Sequence, residues 1–287
     1  MTEPRVGFFT DTSICIGCKA CEVACKEWNG VPVDGLEWSG ESYDNTGALG
    51  ADTWRHVAFV EQRVPAGLDP ESDPGSLVEV AARAELVDTG VVAAERDGAG
   101  LRWLMSSDVC KHCTHAACLD VCPTGALFRT EFGTVVVQED VCNGCGYCVP
   151  ACPFGVLDRR EGDGRVWKCT LCYDRLKGDM EPACAQACPT DSIQFGDLSD
   201  LRERAGRRVE VLHAAGEDGA RLYGADDGDG VGGMGAFFLL LDEPEVYGLP
   251  PDPVATTRDL GGIWTAAGIA AAALGAGIAA ALAGGRR

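Results

Sequence analysis

The sequence predicts an α+β fold made of two small cysteine-rich modules, one inserted into the other, and closed by a single apolar helix. Three observations carry that prediction. All sixteen cysteines fall into four groups of four, with none left over. Short β-forming runs and one helical period separate and follow these groups. Gly262–Gly284 contains no charged residue. A length of 287 residues suits about two domains, and 46% hydrophobic residues suffice for packed cores. Asp plus Glu number 44 against 24 Lys plus Arg, giving a net charge of −20. Phosphate binding needs clustered Lys and Arg, so this balance argues against a nucleic-acid partner.

The cysteine groups come first. They are Cys15, Cys18, Cys21 and Cys25; Cys110, Cys113, Cys118 and Cys122; Cys142, Cys145, Cys148 and Cys152; and Cys169, Cys172, Cys184 and Cys188. The first and third are unbroken C-x2-C-x2-C-x3-C runs, and Pro153 follows the third. That is the bacterial ferredoxin signature, in which three closely spaced thiolates grip one cubic cluster and the fourth reaches another. A short loop can wrap three corners of a cube, but the fourth corner faces away from it. The second and fourth groups lengthen the loop between Cys113 and Cys118 and between Cys172 and Cys184, which still leaves three thiolates together. Structural zinc prefers two separated C-x2-C pairs and asks for no trailing proline. Disulfides suit small secreted chains, whereas this N-terminus carries no apolar signal run. Four [4Fe–4S] clusters are the expected cofactors.

Two-cluster ferredoxins pair their groups by exchanging fourth cysteines. The second and third groups are neighbours in the chain and are expected to form one module. The first and fourth then form the other around it. The expected sets are Cys15, Cys18, Cys21 and Cys188; Cys110, Cys113, Cys118 and Cys152; Cys142, Cys145, Cys148 and Cys122; and Cys169, Cys172, Cys184 and Cys25. The resulting ferredoxin-like organisation has a discontinuous dicluster module over residues 1–30 and 160–200. A loop and hairpin insertion spans 31–100, the inner dicluster module 101–159, an extension 201–260 and a transmembrane helix 261–285.

The remaining elements follow from pattern. Arg55–Val64 and Leu101–Met105 are β-like and frame a Gly-, Pro- and acid-rich stretch, so a small hairpin is expected. Residues 133–137 (GTVVV) predict a short strand between the paired motifs. Leu198–Ala215 has helical periodicity, with Ser199 at its N-terminus. The acidic, glycine-rich tract 216–235 predicts a solvated loop: no downstream Glu completes a calcium loop, and its glycines open no helix after a strand. Gly262–Gly284 is long enough to cross a bilayer as one helix. Small residues at Gly268, Ala272, Ala276 and Ala280 suit close helix packing. The alternative is a buried Ala-rich helix. Arg286 and Arg287 would place the C-terminus in the cytoplasm and the cluster modules outside.

No nucleophile motif is present, so no catalytic residue is expected in this chain. His112 and His115 lie inside the second group, where four cysteines already suffice, and hydrogen bonding or packing is their expected role. Lys168 is either a tuning charge beside Cys169 or a plain surface lysine. Trp28, Trp103 and Trp167 are expected to shield clusters from water.

The stretches DTSICIGCKACEVACKEWN, CKHCTHAACLDVCPTGAL, CNGCGYCVPACPFGV and RVWKCTLCYDRLKGDMEPACAQACPTDSIQFG carry a resemblance, as does GVGGMGAFFLLLDEPEVYGLPPDP before the apolar helix. The chain resembles the iron–sulfur (β) subunits of membrane-bound respiratory formate dehydrogenases over most of its length, except between Cys25 and Cys110. That resemblance implies a catalytic α subunit holding a molybdenum or tungsten bis-pterin, where formate becomes carbon dioxide. It also implies a membrane cytochrome b γ subunit passing electrons to quinone, with this chain as the relay between them. It implies the same cluster pairing, and export alongside a signal-bearing partner. Nitrate reductase β subunits carry Trp where this chain has Cys145, and hold a three-iron cluster there. The spacings alone also fit an equivalent subunit of another molybdopterin oxidoreductase or a hydrogenase.

Overall fold

The computed structural model describes residues 5–34, 43–44, 46–63 and 101–284. The expectations for residues 64–100 within the 31–100 insertion lie outside the described residues. The chain is mixed α/β. Its strands are β1 (Val6–Asp11), β2 (Arg55–Arg63), β3 (Leu101–Val109), β4 (Leu127–Arg129), β5 (Val135–Val137), β6 (Asp158–Arg159), β7 (Val166–Trp167), β8 (Ile193–Asp197), β9 (Arg221–Tyr223) and β10 (Ala236–Leu240). Its α-helices are α1 (Ala20–Asn29), α2 (Ala117–Asp120), α3 (Cys148–Ala151), α4 (Tyr173–Lys177), α5 (Ala183–Gln186), α6 (Leu198–Ala214) and α7 (Leu260–Gly284).

The four cysteine groups are strung on antiparallel pairs. β2–β3 joins the first group to the second, β4–β5 the second to the third, and β6–β7 the third to the fourth. After the fourth group, β8 returns antiparallel to β1, which precedes the first. Each group is therefore held between strands, so its loop has fixed ends. The β2–β3 hairpin and the β5 strand agree with the sequence patterns, and β3 runs on to Val109, just before Cys110.

The largest sheet has the order β8-β1-β10-β9. β10 (AFFLL) is buried at every position and runs parallel to β1, which suits a central strand covered on both faces. The segment 201–260 is thus built into the central sheet. Gly7 makes this possible, because a Cβ there would lie 2.0 Å from the Gly235 carbonyl oxygen. α6 packs on β1 and β8 through Leu198, Leu201, Ala205 and Leu212, an apolar stripe at helical spacing. Its cap is Asp197 rather than Ser199: the Asp197 carboxylate accepts from the Ser199 N–H at 2.8 Å and from its hydroxyl at 2.5 Å. A carboxylate there also meets the positive helix end.

The 216–235 tract departs from the expected solvated loop. Arg221–Tyr223 forms strand β9, and Val231 and Met234 are fully buried. Composition misled here, because glycines that look like loop spacers instead let the backbone fold tightly against the core. α7 has the opposite character. Every described residue of this helix is exposed, including Ile269, Leu274 and Leu282. Its 25 residues extend about 37 Å at helical rise, enough to cross a hydrocarbon layer about 30 Å thick. The apolar surface it presents is costly in water and is covered by no described part of this chain, which is consistent with a membrane anchor. Thr257 donates to the Asp120 carboxylate at 2.5 Å, tying the root of this helix to the second cysteine group, and Arg258 donates to the Asp229 carbonyl at 3.0 Å, tying it to the 216–235 tract.

Candidate iron–sulfur sites

A single backbone device recurs in all four cysteine loops. The second residue between the first two cysteines lies in the left-handed region: Gly17 (φ 64°), His112 (φ 45°), Gly144 (φ 71°) and Leu171 (φ 58°). A left-handed residue there lets the loop close into a concave nest of the kind that binds anions, and in two loops its N–H bonds the first thiol, Leu171 to Cys169 Sγ at 3.2 Å and Gly17 to Cys15. Thiolates and the clusters they hold are anions, so the device matches the ligand. A second turn follows three groups, where Gly125, Gly155 and Asp191, also left-handed, donate to the carbonyls of Cys122, Cys152 and Cys188. The first group lacks that turn because α1 continues through Trp28.

The thiols sort into four neighbourhoods. Cys15, Cys18, Cys21 and Cys188 line one pocket with Ser107, Thr190 and Ser192. Burial raises the Cys15 thiol to about 11, with Cys21 and Cys188 adding to the rise. Burial likewise lifts Cys25 well above its ordinary range, and Cys169, Cys184 and Cys172 press it further. Asn29 stands over this set, donating to Cys25 Sγ at 3.7 Å and Cys172 Sγ at 3.8 Å. Cys113 is raised by burial and then by Cys110, Cys152 and Cys118. Burial brings Cys148 to about 11, with Cys122, Cys142 and Cys145 beside it. The neighbourhoods lie within electrostatic reach of one another in sequence: Cys184 acts on Cys21, Cys110 on Cys169, and Cys148 on Cys118.

A buried thiol pushed to about 12, as Cys169 is, stays protonated and inert without a cation, so these pockets become anionic only when iron replaces the protons. Among the described residues, which include every cysteine, no three His, Cys, Asp or Glu side chains converge as a single ion would need. A cube spreads its thiolates over separate corners, and the nests and four-cysteine neighbourhoods fit it.

Three cations lie inside this assembly. Arg55, Lys111 and Lys168 are each 1% exposed. Lys168 is therefore not a surface lysine: its ammonium donates to the Val135 carbonyl and, at 2.8 Å, to that of Cys169. Lys111 pairs with Asp108 and donates to the Val109 carbonyl. Arg55 and Lys111 were invisible to sequence reasoning, because a lone cation carries no signal of burial. His112 acts as expected, its Nδ1 accepting from the Val135 N–H at 3.0 Å, while burial holds the ring neutral. His115 is exposed. Trp28 departs from its expected shielding role: it is 44% exposed, stacked on Arg175 and bonded to Asp174. Trp103 and Trp167 are partly buried, and Trp167 stacks on the buried Trp54.

The strand-held nests and clustered thiols define an iron–sulfur protein, and residues 101–198 match the 4Fe-4S dicluster domain family. The chain is 37% identical over 259 residues to the nitrate-inducible formate dehydrogenase iron–sulfur subunit of Escherichia coli, covering 89% of this chain and 76% of that one. It is 38% identical over 247 residues to the formate dehydrogenase iron–sulfur subunit of Haemophilus influenzae, covering 85% and 68%. The B subunit of the anaerobic dimethyl sulfoxide reductase of Escherichia coli is similar at 34% over 207 residues, 72% of this chain and 80% of that one. The chain belongs to the formate dehydrogenase iron–sulfur subunits. It is the electron-transfer subunit of an oxidoreductase.

Proposed function

We propose that this chain relays electrons through four [4Fe–4S] clusters, from a bis-pterin catalytic subunit that oxidises formate to carbon dioxide toward a membrane cytochrome b and quinone. The observation that carries the reading is the sorting of the cysteines into four neighbourhoods, each mixing three cysteines of one group with one from another. The proposed ligand sets are Cys15, Cys18, Cys21 and Cys188; Cys25, Cys169, Cys172 and Cys184; Cys110, Cys113, Cys118 and Cys152; and Cys122, Cys142, Cys145 and Cys148. The first two belong to the outer module and the last two to the nested one. When bound, each cluster supplies a one-electron carrier.

The residues of this chain do the rest. The nests orient donors toward each site, and the apolar core around Phe8, Val57, Val109, Leu171 and Ile193 excludes water. The electrostatic interactions between neighbourhoods support a linear order of sites, Cys21 side to Cys184, Cys169 to Cys110, and Cys118 to Cys148. The Thr257–Asp120 bond roots the apolar helix between Cys118 and Cys122, which supports the nested module as the membrane-proximal end. The proposed location is the cytoplasmic membrane, with α7 as the single span, the C-terminus in the cytoplasm and the cluster modules on the far side.

The test is formate-dependent reduction of a viologen dye by the complex purified anaerobically in detergent through this chain. Activity with a co-purifying large subunit supports the formate reading. A brown, intact complex that ignores formate keeps the relay and gives the substrate to another oxidoreductase.

A further inference from the structure

Arg55 is the one buried cation of the three with unpartnered hydrogen-bond donors. It starts β2, packs its guanidinium over the Phe8 ring at 4.9 Å, and has no carboxylate partner among the described residues. Its Nη1 donates to the Ser107 carbonyl at 3.2 Å and hydroxyl at 3.0 Å, while Nε and Nη2 have no hydrogen-bond partner. The Ser107 hydroxyl in turn sits 3.2 Å from Cys21 Sγ. A fully buried guanidinium with free N–H groups is strongly unfavourable unless it faces anions. The sulfurs around it are those of Cys184, Cys21, Cys169 and Cys25, which carry negative charge once iron replaces their protons. They belong to two different proposed ligand sets. Lys111, by contrast, pairs with Asp108, and Lys168 keeps its charge but donates to two carbonyls and acts on Cys118, in one of the other two sets.

We propose that Arg55 is a positioning charge shared by two clusters, those of Cys15, Cys18, Cys21 and Cys188 and of Cys25, Cys169, Cys172 and Cys184, and that it sets the reduction potential of both. This rests on the four-cluster reading above. Reduction adds one negative charge to a cluster, and a fixed cation stabilises the reduced form more than the oxidised one. Removing the charge must therefore lower both potentials together. The distribution of charge on the remaining two ligand sets, which Arg55 does not face, is left as it was. Arg55 touches no substrate, so its effect is on driving force rather than on chemistry at the catalytic centre.

The experiment is an EPR-monitored redox titration of the whole complex carrying Arg55→Met, Arg55→Gln or Arg55→Lys, with iron and sulfide measured on each. In a neutral variant that retains iron for four cubes, two midpoints fall by tenfold or more in their reduction equilibria, which is 59 mV for a one-electron couple. The other two move less than threefold, and Arg55→Lys stays within threefold of the parent throughout. Unmoved midpoints, or an equal shift in all four, overturn the proposal. If both neutral variants lose iron, Arg55→Lys decides: midpoints near the parent's support a charge effect, and a tenfold drop despite the retained charge overturns it. A parent complex with too little iron for four cubes fails the cluster reading instead, before any variant is compared.

Discussion

The proposed ligand set around Cys172 and the one proposed around Cys145 lie in opposite surroundings. Cys25, Cys169, Cys172 and Cys184 are all buried, whereas Cys145 is exposed and Cys122 and Cys142 are partly so. The loops differ to match. The buried loop places Leu171 and then Cys172 in the left-handed region, although a side chain there costs about 1–3 kcal/mol. Leu171 is only 1% exposed, and burying such a side chain contributes about 1.5–3 kcal/mol in the other direction. The exposed loop uses Gly144 and Gly146 instead, and at Gly144 the Gly164 carbonyl leaves no room for a Cβ. Strain in the buried loop is offset by the core packing of Leu171, whereas the outer loop avoids it with glycine. In the proposed order of sites, the same contrast separates an interior site from a terminal one.

The largest expected effect that sharpens this contrast is Cys172→Ala against Cys145→Ala. Both should lose about a quarter of the iron, one cube in four. Only Cys172→Ala should also lower the thermal midpoint sharply, because it leaves an interior pocket without its filling; equal destabilisation would break the comparison. Next comes Gly144→Ala, whose Cβ would sit 2.3 Å from the Gly164 carbonyl oxygen at a φ of 71°. It should cost about 1–3 kcal/mol in denaturant unfolding, and an unchanged midpoint would remove the argument for glycine. Asn29→Ala removes the amide over Cys25 and Cys172, and outer partners of this kind change metal affinity or activity about 10- to 100-fold. Iron release to a chelator should accelerate from that set alone.

Acid sharpens the comparison further. Burial raises every thiol of the interior set, with Cys169 reaching about 12. Cys122 of the exposed set is opposed by its modest burial but lies below its ordinary value, because Leu127 and Thr124 donate to it. Raised thiols hold their protons in the apo chain, so iron binding displaces them and affinity rises with pH. The interior set should keep that dependence to higher pH in chelator competition, because its raised thiols still hold protons where Cys122 has lost its own. The smallest effect is Asp197→Ala, which removes the α6 cap and should cost about 1 kcal/mol. Hydrogen bonds from Ser199 hold that carboxyl below its ordinary value. Its contribution is therefore present above the ordinary Asp range and lost as pH falls through the depressed one, so parent and variant should converge in acid melts.

Local signals were legible and distant ones were not. The cysteine groups, β5, the hairpin strands, α6 and the apolar helix all follow from spacing or period within one segment. The pairing of β10 with β1 joins Phe8 to Ala236 across most of the chain, and no local pattern announces it. The burial of Arg55 and Lys168 was hidden for the same reason, since a cation is satisfied by sulfurs and carbonyls brought from elsewhere. Val231 and Met234 vanished into a tract whose composition resembles a solvated loop. What the sequence concealed is the electrostatics of the sites, while their ligands stood in plain view.

The central claim is the exchange of fourth cysteines between groups. Its most direct test is low-temperature EPR of the reduced complex carrying Cys18→Ser, Cys188→Ser, Cys25→Ser or Cys172→Ser, one at a time. Exchange predicts that the Cys188 variant loses or alters the same signal as the Cys18 variant, and the Cys25 variant the same signal as the Cys172 variant. If Cys188→Ser instead matches Cys172→Ser, each group binds its own cube and the relay proposed here is wrongly assembled.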